Sequence, residues 1–276
     1  LKNMQFDYEK NLWGKEEATL SLFSPTYFRL KKALQVLKKT PIGENILDFG
    51  CGAGRFIRAL RNRRPDLRAF GCDISVSAIS LASRANDNVN YTVNQVDEKL
   101  PYQNDFFANI FIFDVLEHVV DVEGVLKEWI RVLKKDGILF LQVPCEKDWL
   151  SLWFWLDKVG LKKEITKKFA GHVNFFSRKE LKDTLQRVGF KIEKRYYCDH
   201  FLGQKAGILA FYLTAAQAKK KNLPVYNNET CMSELKESRG MGWSFLGKFA
   251  NFLINCEALL LQKIPSANVF YILKKK

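Results

Sequence analysis

Ile46-Leu47-Asp48-Phe49-Gly50-Cys51-Gly52-Ala53-Gly54-Arg55-Phe56 is the stretch on which the fold turns. Ile46 to Phe49 reads as a strand, the three glycines as a sharp turn, and Arg55 onward as a helix running through Arg63. Gly50, Gly52 and Gly54 let the backbone bend and approach a ligand where any Cβ would collide. The spacing is GxGxG, not the GxGxxG of dinucleotide-binding loops, and Asp48 stands two residues before the first glycine. A pyrophosphate would be repelled by that carboxylate. The charged amino group of an amino-acid ligand would be attracted to it.

Outward from this loop, strands are expected at 67–72, 89–93, 110–113 and 138–143, with helices at 75–84 and 122–133 between them. The runs at 110–113 and, apart from Gln142, at 138–143 are apolar, as strands covered on both faces should be. Ser177-Arg178-Lys179-Glu180 fits a capping box and opens a helix over 177–188, which Gly189 ends. Strands at 190–196 and 269–273 complete the set. Alternation at this spacing implies βαβ units and a doubly wound α/β sheet of seven strands, mostly parallel, with the last antiparallel. Residues 1–40 read as an N-terminal helical cap, with Pro25 opening a helix through Leu30, Leu34 and Leu37. The core is expected over 41–197, holding a lid or membrane-facing segment at 147–170. A helical insertion at 198–267, which such a sheet does not need, precedes the last core strand at 268–276.

The 276-residue chain is 47% apolar and 27% charged, which suits a folded protein. Its 44 Lys and Arg against 30 Asp and Glu leave a net charge of +14, favouring a polyanion: nucleic acid, anionic lipid headgroups or a phosphorylated substrate. The six cysteines are scattered without a CxxC pair and form no sequence cluster with the three histidines. Reduced thiols and no metal are therefore expected. The mixed, charged N-terminal residues do not read as a signal peptide, and no uncharged apolar run reaches membrane-spanning length. These features predict a cytoplasmic protein, with the membrane surface open to it.

Asp73 closes the second strand, where a carboxylate can bind both hydroxyls of a ribose. Two carboxylates and three glycines thus describe a pocket for a nucleoside joined to a cationic amino acid. With GCDIS at 71–75, DVLEHV at 114–119 and LKEWIRVLKKDGILFLQVP at 126–144, the chain resembles class I S-adenosylmethionine-dependent methyltransferases over residues 40–196. It is most similar to the branch acting on small molecules, quinones, lipids and sugars. The resemblance implies S-adenosylmethionine as cofactor and S-adenosylhomocysteine as its product. It implies Asp48, Gly50, Cys51, Gly52 and Gly54 around the methionine part, Asp73 and Ile74 at the ribose, Asp97 near the adenine amine, and Asp114 completing the set. The branch commonly places that adenine-side acid one residue further from Leu100-Pro101, and has Phe-Asp where this chain has Phe107-Ala108.

Methyl transfer from a sulfonium is a direct displacement, so alignment and electrostatics supply most of the acceleration and no triad is required. An oxygen or nitrogen acceptor also has a proton to lose. His118 and Glu117, after the fourth strand, and His172, in an H-x-x-x-F stretch before the capped helix, are the candidate catalytic residues. Each would otherwise serve to hold its loop. Tyr8, Trp13 and Tyr27 are candidates for walls of the acceptor site. Two segments lie outside this scheme. Residues 149–156 carry three tryptophans ahead of a run of lysines, as a bilayer-interface segment or an inward-packing lid would. Phe245, Leu246, Phe249, Phe252, Leu253, Cys256, Leu259 and Leu260 form a wide helical stripe, next to a second apolar helix at 201–218. The expected function is methyl transfer to an oxygen, ahead of nitrogen or carbon, of a small or lipid-linked acceptor, with an anionic membrane surface as the expected place of action. The alternatives are an RNA methyltransferase, which the charge favours, and a non-catalytic scaffold that binds the cofactor; oligomeric state is open.

Overall fold

A computed structural model describes residues 6–94, 99–160, 165–223 and 227–276. Seven strands form one sheet: β1 (Asn45–Phe49), β2 (Arg68–Asp73), β3 (Val89–Val93), β4 (Phe107–Phe113), β5 (Leu133–Pro144), β6 (Phe190–Cys198) and β7 (Asn268–Lys275). Their order is β3-β2-β1-β4-β5-β7-β6, and β7 runs antiparallel to both of its neighbours. This is the doubly wound sheet that the alternation predicted.

The strand sequences divide residue by residue between two cores, as the period of two requires. Leu47, Ile110, Ile112, Leu139 and Leu141 face one side, where they meet Leu126 and Trp129 of α4 (Val122–Val132) and Leu181 and Leu185 of α7 (Arg178–Val188). Their neighbours Ile46, Phe111, Phe113 and Phe140 face the other side. There they meet Phe28 and Leu30 of α1 (Tyr27–Leu37), Ile57 and Leu60 of α2 (Arg55–Arg63), and Ala258 of α9 (Asn228–Leu261). Helix α3 (Val76–Ser83) covers β2 and β3 and begins at Ser75, whose hydroxyl accepts from Ala78 N. Ser177 and Glu180 form the full capping box at the start of α7.

Strand β1 lies between β2 and β4, so the chain leaves it toward opposite edges of the sheet. The loops after β1 and β4 therefore diverge and leave a crevice at their carboxyl ends, the usual ligand position in such a sheet.

The expected N-terminal helical cap is corrected in part. Among its described residues only α1 is helical; residues 6–26 run as turns and irregular chain, and Pro25 lies two residues ahead of the first helical residue. The reason is that this strap spends its main-chain groups on distant elements. Trp13 O accepts from Ala53 N at 2.9 Å, and Gly14 N and Lys15 N donate to the Glu229 carboxylate of α9 at 3.1 Å each. No i to i−4 ladder can form with those groups committed elsewhere.

The insertion is helical, as expected. Helices α5 (Leu152–Lys158) and α6 (Ile165–Phe169) precede α7, and α8 (Phe201–Lys220) pairs with α9 after β6. Helix α9 is broken at Gly240, which adopts φ 72° and ψ −160°. Phe169, Ala218, Cys231 and Leu235 give this helical pair a small core of its own. Beyond the break the apolar stripe stays outside: Met241, Phe245, Leu246, Phe249, Leu253 and Leu260 are exposed.

Candidate active site

Above the carboxyl ends of β1, β2 and β4 lies a cavity of about 1690 Å³, lined by the glycine loop, the strap, the loop after β4, and α8 and α9. Single-ligand pockets usually hold ~300–1000 Å³, so this one has room for two ligands side by side.

At one end the loop is closed by hydrogen bonds. Gly50 N and Cys51 N donate to Cys72 O, and Gly52 N donates to Asp73 Oδ2 at 2.8 Å. Asp73 Oδ1 accepts from Ser75 N at 2.9 Å, so one carboxylate both locks the loop and starts α3. Each of its oxygens keeps a second lone pair for a ligand hydroxyl. Gly50, Cys51, Gly52, Asp48, Asp73 and Ile74 all line the cavity. Asp48 lies beneath the loop, almost fully buried, and accepts from the backbone N–H of Ile57 in the first turn of α2. Burial pushes its carboxyl up to about 7, and the neighbouring Asp73 charge acts in the same direction. Burial also raises Asp73, against the hydrogen bonds it accepts. Carboxylates that resist ionising in this way are stabilised when a cationic ligand arrives.

One of the expected cofactor residues is placed differently. A Cβ on Gly54 would lie 2.5 Å from Tyr91 Oη, and Gly54, at φ 87°, opens α2 without lining the cavity. Gly52 does line the cavity, but there a Cβ would meet Trp13 O at 2.6 Å, so its clearance serves the strap as well as a ligand. Asp114 lines the cavity with its carboxylate already engaged by Arg29 Nη1 at 2.7 Å and by Gln142 Nε2 at 2.8 Å. Asp97 lies outside the described residues. Nearby, Asn94 is a cavity-lining residue that the sequence reading passed over; its main chain is tied to Asp73 O at 3.0 Å.

At the other end the structure brings all three catalytic candidates together. Leu116–His118 is a single 3-10 turn after β4. The segment 171–174 is stitched to it: Val173 N and Asn174 N both donate to Glu117 O, and the Asn174 amide donates to Leu116 O and Val119 O. Ligand-capable atoms of Glu117, His118 and His172 thereby come within 4.8 Å of one another, although 54 residues separate the two histidines. Sequence spacing named the three residues separately and gave no sign that they meet, because the bonds from Asn174 that bring them together follow no sequence period. His172 Nδ1 lies 2.7 Å from Glu146 Oε1, and His118 Nδ1 lies 3.1 Å from Gly171 O. Burial lowers His118 to about 3, helped by His172, and burial with the Asp114 charge raises Glu117 well above the carboxylate range.

Glu146 was also missed; its only signal was its place two residues after β5, at the carboxyl edge of the sheet. Of the three aromatic candidates, Tyr8 and Trp13 line the cavity and Tyr27 does not. Tyr8 stacks edge-on to His118 at 5.9 Å, and burial raises its hydroxyl, with Glu117 and Asp73 adding to the effect. It therefore stands between the two ends of the cavity.

The tryptophan segment divides between its two readings. Trp153 is buried, lines the cavity and meets Phe211 of α8 edge-on at 5.6 Å, whereas Trp149 and Trp155 are exposed.

Residues 25–195 match a family described as a methyltransferase domain. An uncharacterised protein of Methanocaldococcus jannaschii, MJ1252, is 30% identical over 187 residues, which cover 62% of this chain and 71% of that protein. The ubiquinone biosynthesis O-methyltransferase of Bradyrhizobium diazoefficiens is 32% identical over 113 residues, 40% of this chain and 43% of its own length. The solved geranyl diphosphate methyltransferase in complex with GPP and sinefungin shares the fold, with a TM-score of 0.55 and 14% identity over 90% of this chain and 78% of that one. A chain with this sheet, this glycine loop and this family match belongs to the methyltransferase-domain family and is a class I S-adenosylmethionine-dependent methyltransferase.

Proposed function

We propose that the enzyme methylates an oxygen of a lipid-like or lipid-linked acceptor, working as a peripheral protein at an anionic membrane surface on the cytoplasmic side. The observation that carries this reading is the lining of the cavity. Together with Asp48, Asp73, Glu117, His118 and His172 it includes Leu209 of α8, Leu246 of α9 and Phe23 of the strap. Those last three side chains are 59%, 57% and 50% exposed. Exposed apolar side chains in such a lining favour entry of a hydrophobic acceptor, and Lys236 and Lys248 of α9, which also line the cavity, suit an anionic headgroup.

S-adenosylmethionine, when bound, supplies an electrophilic methyl group. The chain's own residues supply position: Asp73 for the ribose hydroxyls, Asp48 for the amino group, and Tyr8 and Trp13 to narrow the passage between the two ends. The cluster of Glu117, His118 and His172 lies where the acceptor's reacting oxygen would rest, and each can take a hydrogen bond from it.

The exposed stripe of α9 and the net charge of +14 fit the same surface. Each Leu or Phe withdrawn from water contributes on the order of 1.5–3 kcal/mol, and basic residues near an anionic surface about 1 kcal/mol each. Helix α9 is also long and apolar enough to cross a membrane by length and composition, with 11% of its most apolar window buried. Its break at Gly240 and its packing on α8 suit lying on a surface better than crossing one.

The test is flotation with vesicles containing phosphatidylglycerol, compared with neutral vesicles and with bulk RNA over a salt series. Binding to anionic vesicles that weakens on Phe245→Asp or Leu246→Asp supports the reading. Protein left wholly in the aqueous fraction at low salt, with salt-dependent RNA binding instead, would replace it with an RNA acceptor.

A further inference from the structure

We infer that Glu117, His118 and His172 form a binding site for one first-row divalent transition cation, at the acceptor end of the methyl-transfer cavity. The inference rests on which atoms are donors and which are acceptors. Gly171 O can only accept, so the His118 Nδ1 beside it carries the proton. Glu146 accepts in the same way from His172 Nδ1. Both rings are therefore fixed as Nδ1–H tautomers, and each keeps a lone pair on Nε2.

Glu117 completes the set. It is fully buried, and neither of its carboxylate oxygens has a hydrogen-bond partner among the described residues. A buried carboxylate without partners is costly, and the two imidazoles within 4.8 Å of it have their Nδ1–H groups spent on Gly171 O and Glu146 and so offer no donor to relieve it. A divalent cation satisfies all three at once. The geometry also carries the outer contacts that metal-binding histidines typically have: a carboxylate behind one ring, and a backbone carbonyl behind the other. Thr166 Oγ1 donates to the second oxygen of Glu146 at 3.1 Å, which fixes that carboxylate in turn.

Two imidazoles and one carboxylate select Zn²⁺, Co²⁺, Fe²⁺ or Mn²⁺ over Mg²⁺ and Ca²⁺, which prefer oxygen donors alone. Three protein ligands leave coordination positions open, and all three residues line the same cavity as Asp48 and Asp73. This deepens the proposed O-methylation and rests on it for its purpose. The cation would take the acceptor's hydroxyl oxygen as a further ligand and lower its pKa, so that the proton leaves to water. The O–CH₃ bond then forms as the S–CH₃ bond breaks, and the electron pair of that bond stays on sulfur in S-adenosylhomocysteine.

The test is titration of chelator-stripped full-length protein with Co²⁺, read by visible absorption, followed by displacement with Zn²⁺ and, separately, with Mg²⁺. The expected result is one Co²⁺ per chain, displaced by Zn²⁺ and not by an equal excess of Mg²⁺. Glu117→Gln and His172→Ala should each weaken uptake at least tenfold. Glu146→Gln, which loosens a ring without removing a ligand, should do so by about 10–100-fold. Circular dichroism selects the variants that remain folded, and if a ligand variant does not fold, Glu146→Gln carries the test. Absence of stoichiometric uptake by the wild type, or uptake unchanged in the folded variants, overturns the inference. Calorimetry of S-adenosylhomocysteine with the stripped protein reads the cofactor site separately, so loss of the metal site and loss of the cofactor site are told apart.

Discussion

The sheet core and the α8–α9 pair both carry apolar runs and place them in opposite ways. Phe111 and Phe140 on the sheet are fully buried between layers, whereas Phe245 and Leu260 on α9 are 71% and 82% exposed. Periodicity alone does not separate the two, because an apolar stripe marks any face that must leave water, whatever then covers it. What separates them is partners. The core face of α2 meets the sheet, while the stripe beyond Gly240 reaches the core at Leu259 and has Phe23 of the strap stacked on Phe252, at 5.4 Å. The strands belong to a packed interior; the stripe is a surface still to be covered.

The largest expected effect tests this division directly. Phe111→Ala removes a ring from a closed interior and should cost about 3–5 kcal/mol in denaturant unfolding. Phe245→Ala should stay within about 0.5 kcal/mol and instead lower vesicle affinity. A cost above about 2 kcal/mol for Phe245→Ala would mean that the stripe is covered in solution, and the division would fail.

The next effect lies on the core side alone. Asp73→Ala removes the carboxylate that closes the glycine loop and lines the cavity. Loss of a charged hydrogen-bonding group costs about 1.5–3 kcal/mol, so calorimetry should show S-adenosylhomocysteine binding at least tenfold weaker. Vesicle binding should be unchanged. If both fall together, the two regions are coupled and the cavity must be treated as one site with the membrane face.

The sheet and its ligand loop were legible in the sequence for a local reason. Strands covered on both faces are continuously apolar, and a GxGxG turn after such a run has few other uses. Asp48 and Asp73 were found because they adjoin that turn. The strap was not legible: its conformation is set by Glu229, more than 200 residues away, and no residue between 6 and 26 announces that partner. The gathering of His118 and His172 depends likewise on Asn174 reaching Leu116 O and Val119 O, a contact without a sequence period. Glu146 acts through His172, so its role exists only in three dimensions. Motifs that close on themselves can be read from sequence; sites assembled by loops from several strands cannot.

A pH scan sharpens the comparison further, because the buried carboxylates Asp48 and Glu117 both belong to the core side. Burial lifts Asp48 from 3.8 to about 7, so across that window the folded chain holds a proton that the unfolded chain has lost. Stability from this group is therefore present at low pH and falls as pH rises through about 7. Asp48→Asn removes the slope, keeps an acceptor for Ile57 N, and should gain on the wild type between pH 5 and pH 8, by at most about 3 kcal/mol. Thermal unfolding at the two pH values measures it. The same variant should weaken cofactor binding, since the amide carries no charge for the ligand's amino group. An Asn variant whose advantage does not grow with pH would show that Asp48 is ionised without a ligand.

The smallest effect asks whether the two regions unfold together. Ser177 caps α7 in the core, and Asn227 caps α9 by accepting from Thr230 N at 2.7 Å. Either one replaced by Ala should cost its helix about 1 kcal/mol. For Ser177→Ala that cost should appear in full in global unfolding, because Leu181 and Leu185 lock α7 into the main core. For Asn227→Ala it should appear first as faster amide exchange in 228–239, where only the small core around Cys231 and Leu235 resists opening. That variant also loses the Asn227 bond to Leu12 O, so exchange should rise in the strap as well. If instead both substitutions lower one common transition by the same amount, the α8–α9 pair is part of the core's cooperative unit. Its exposed stripe would then be held in place by the enzyme, with no need of a bilayer to order it.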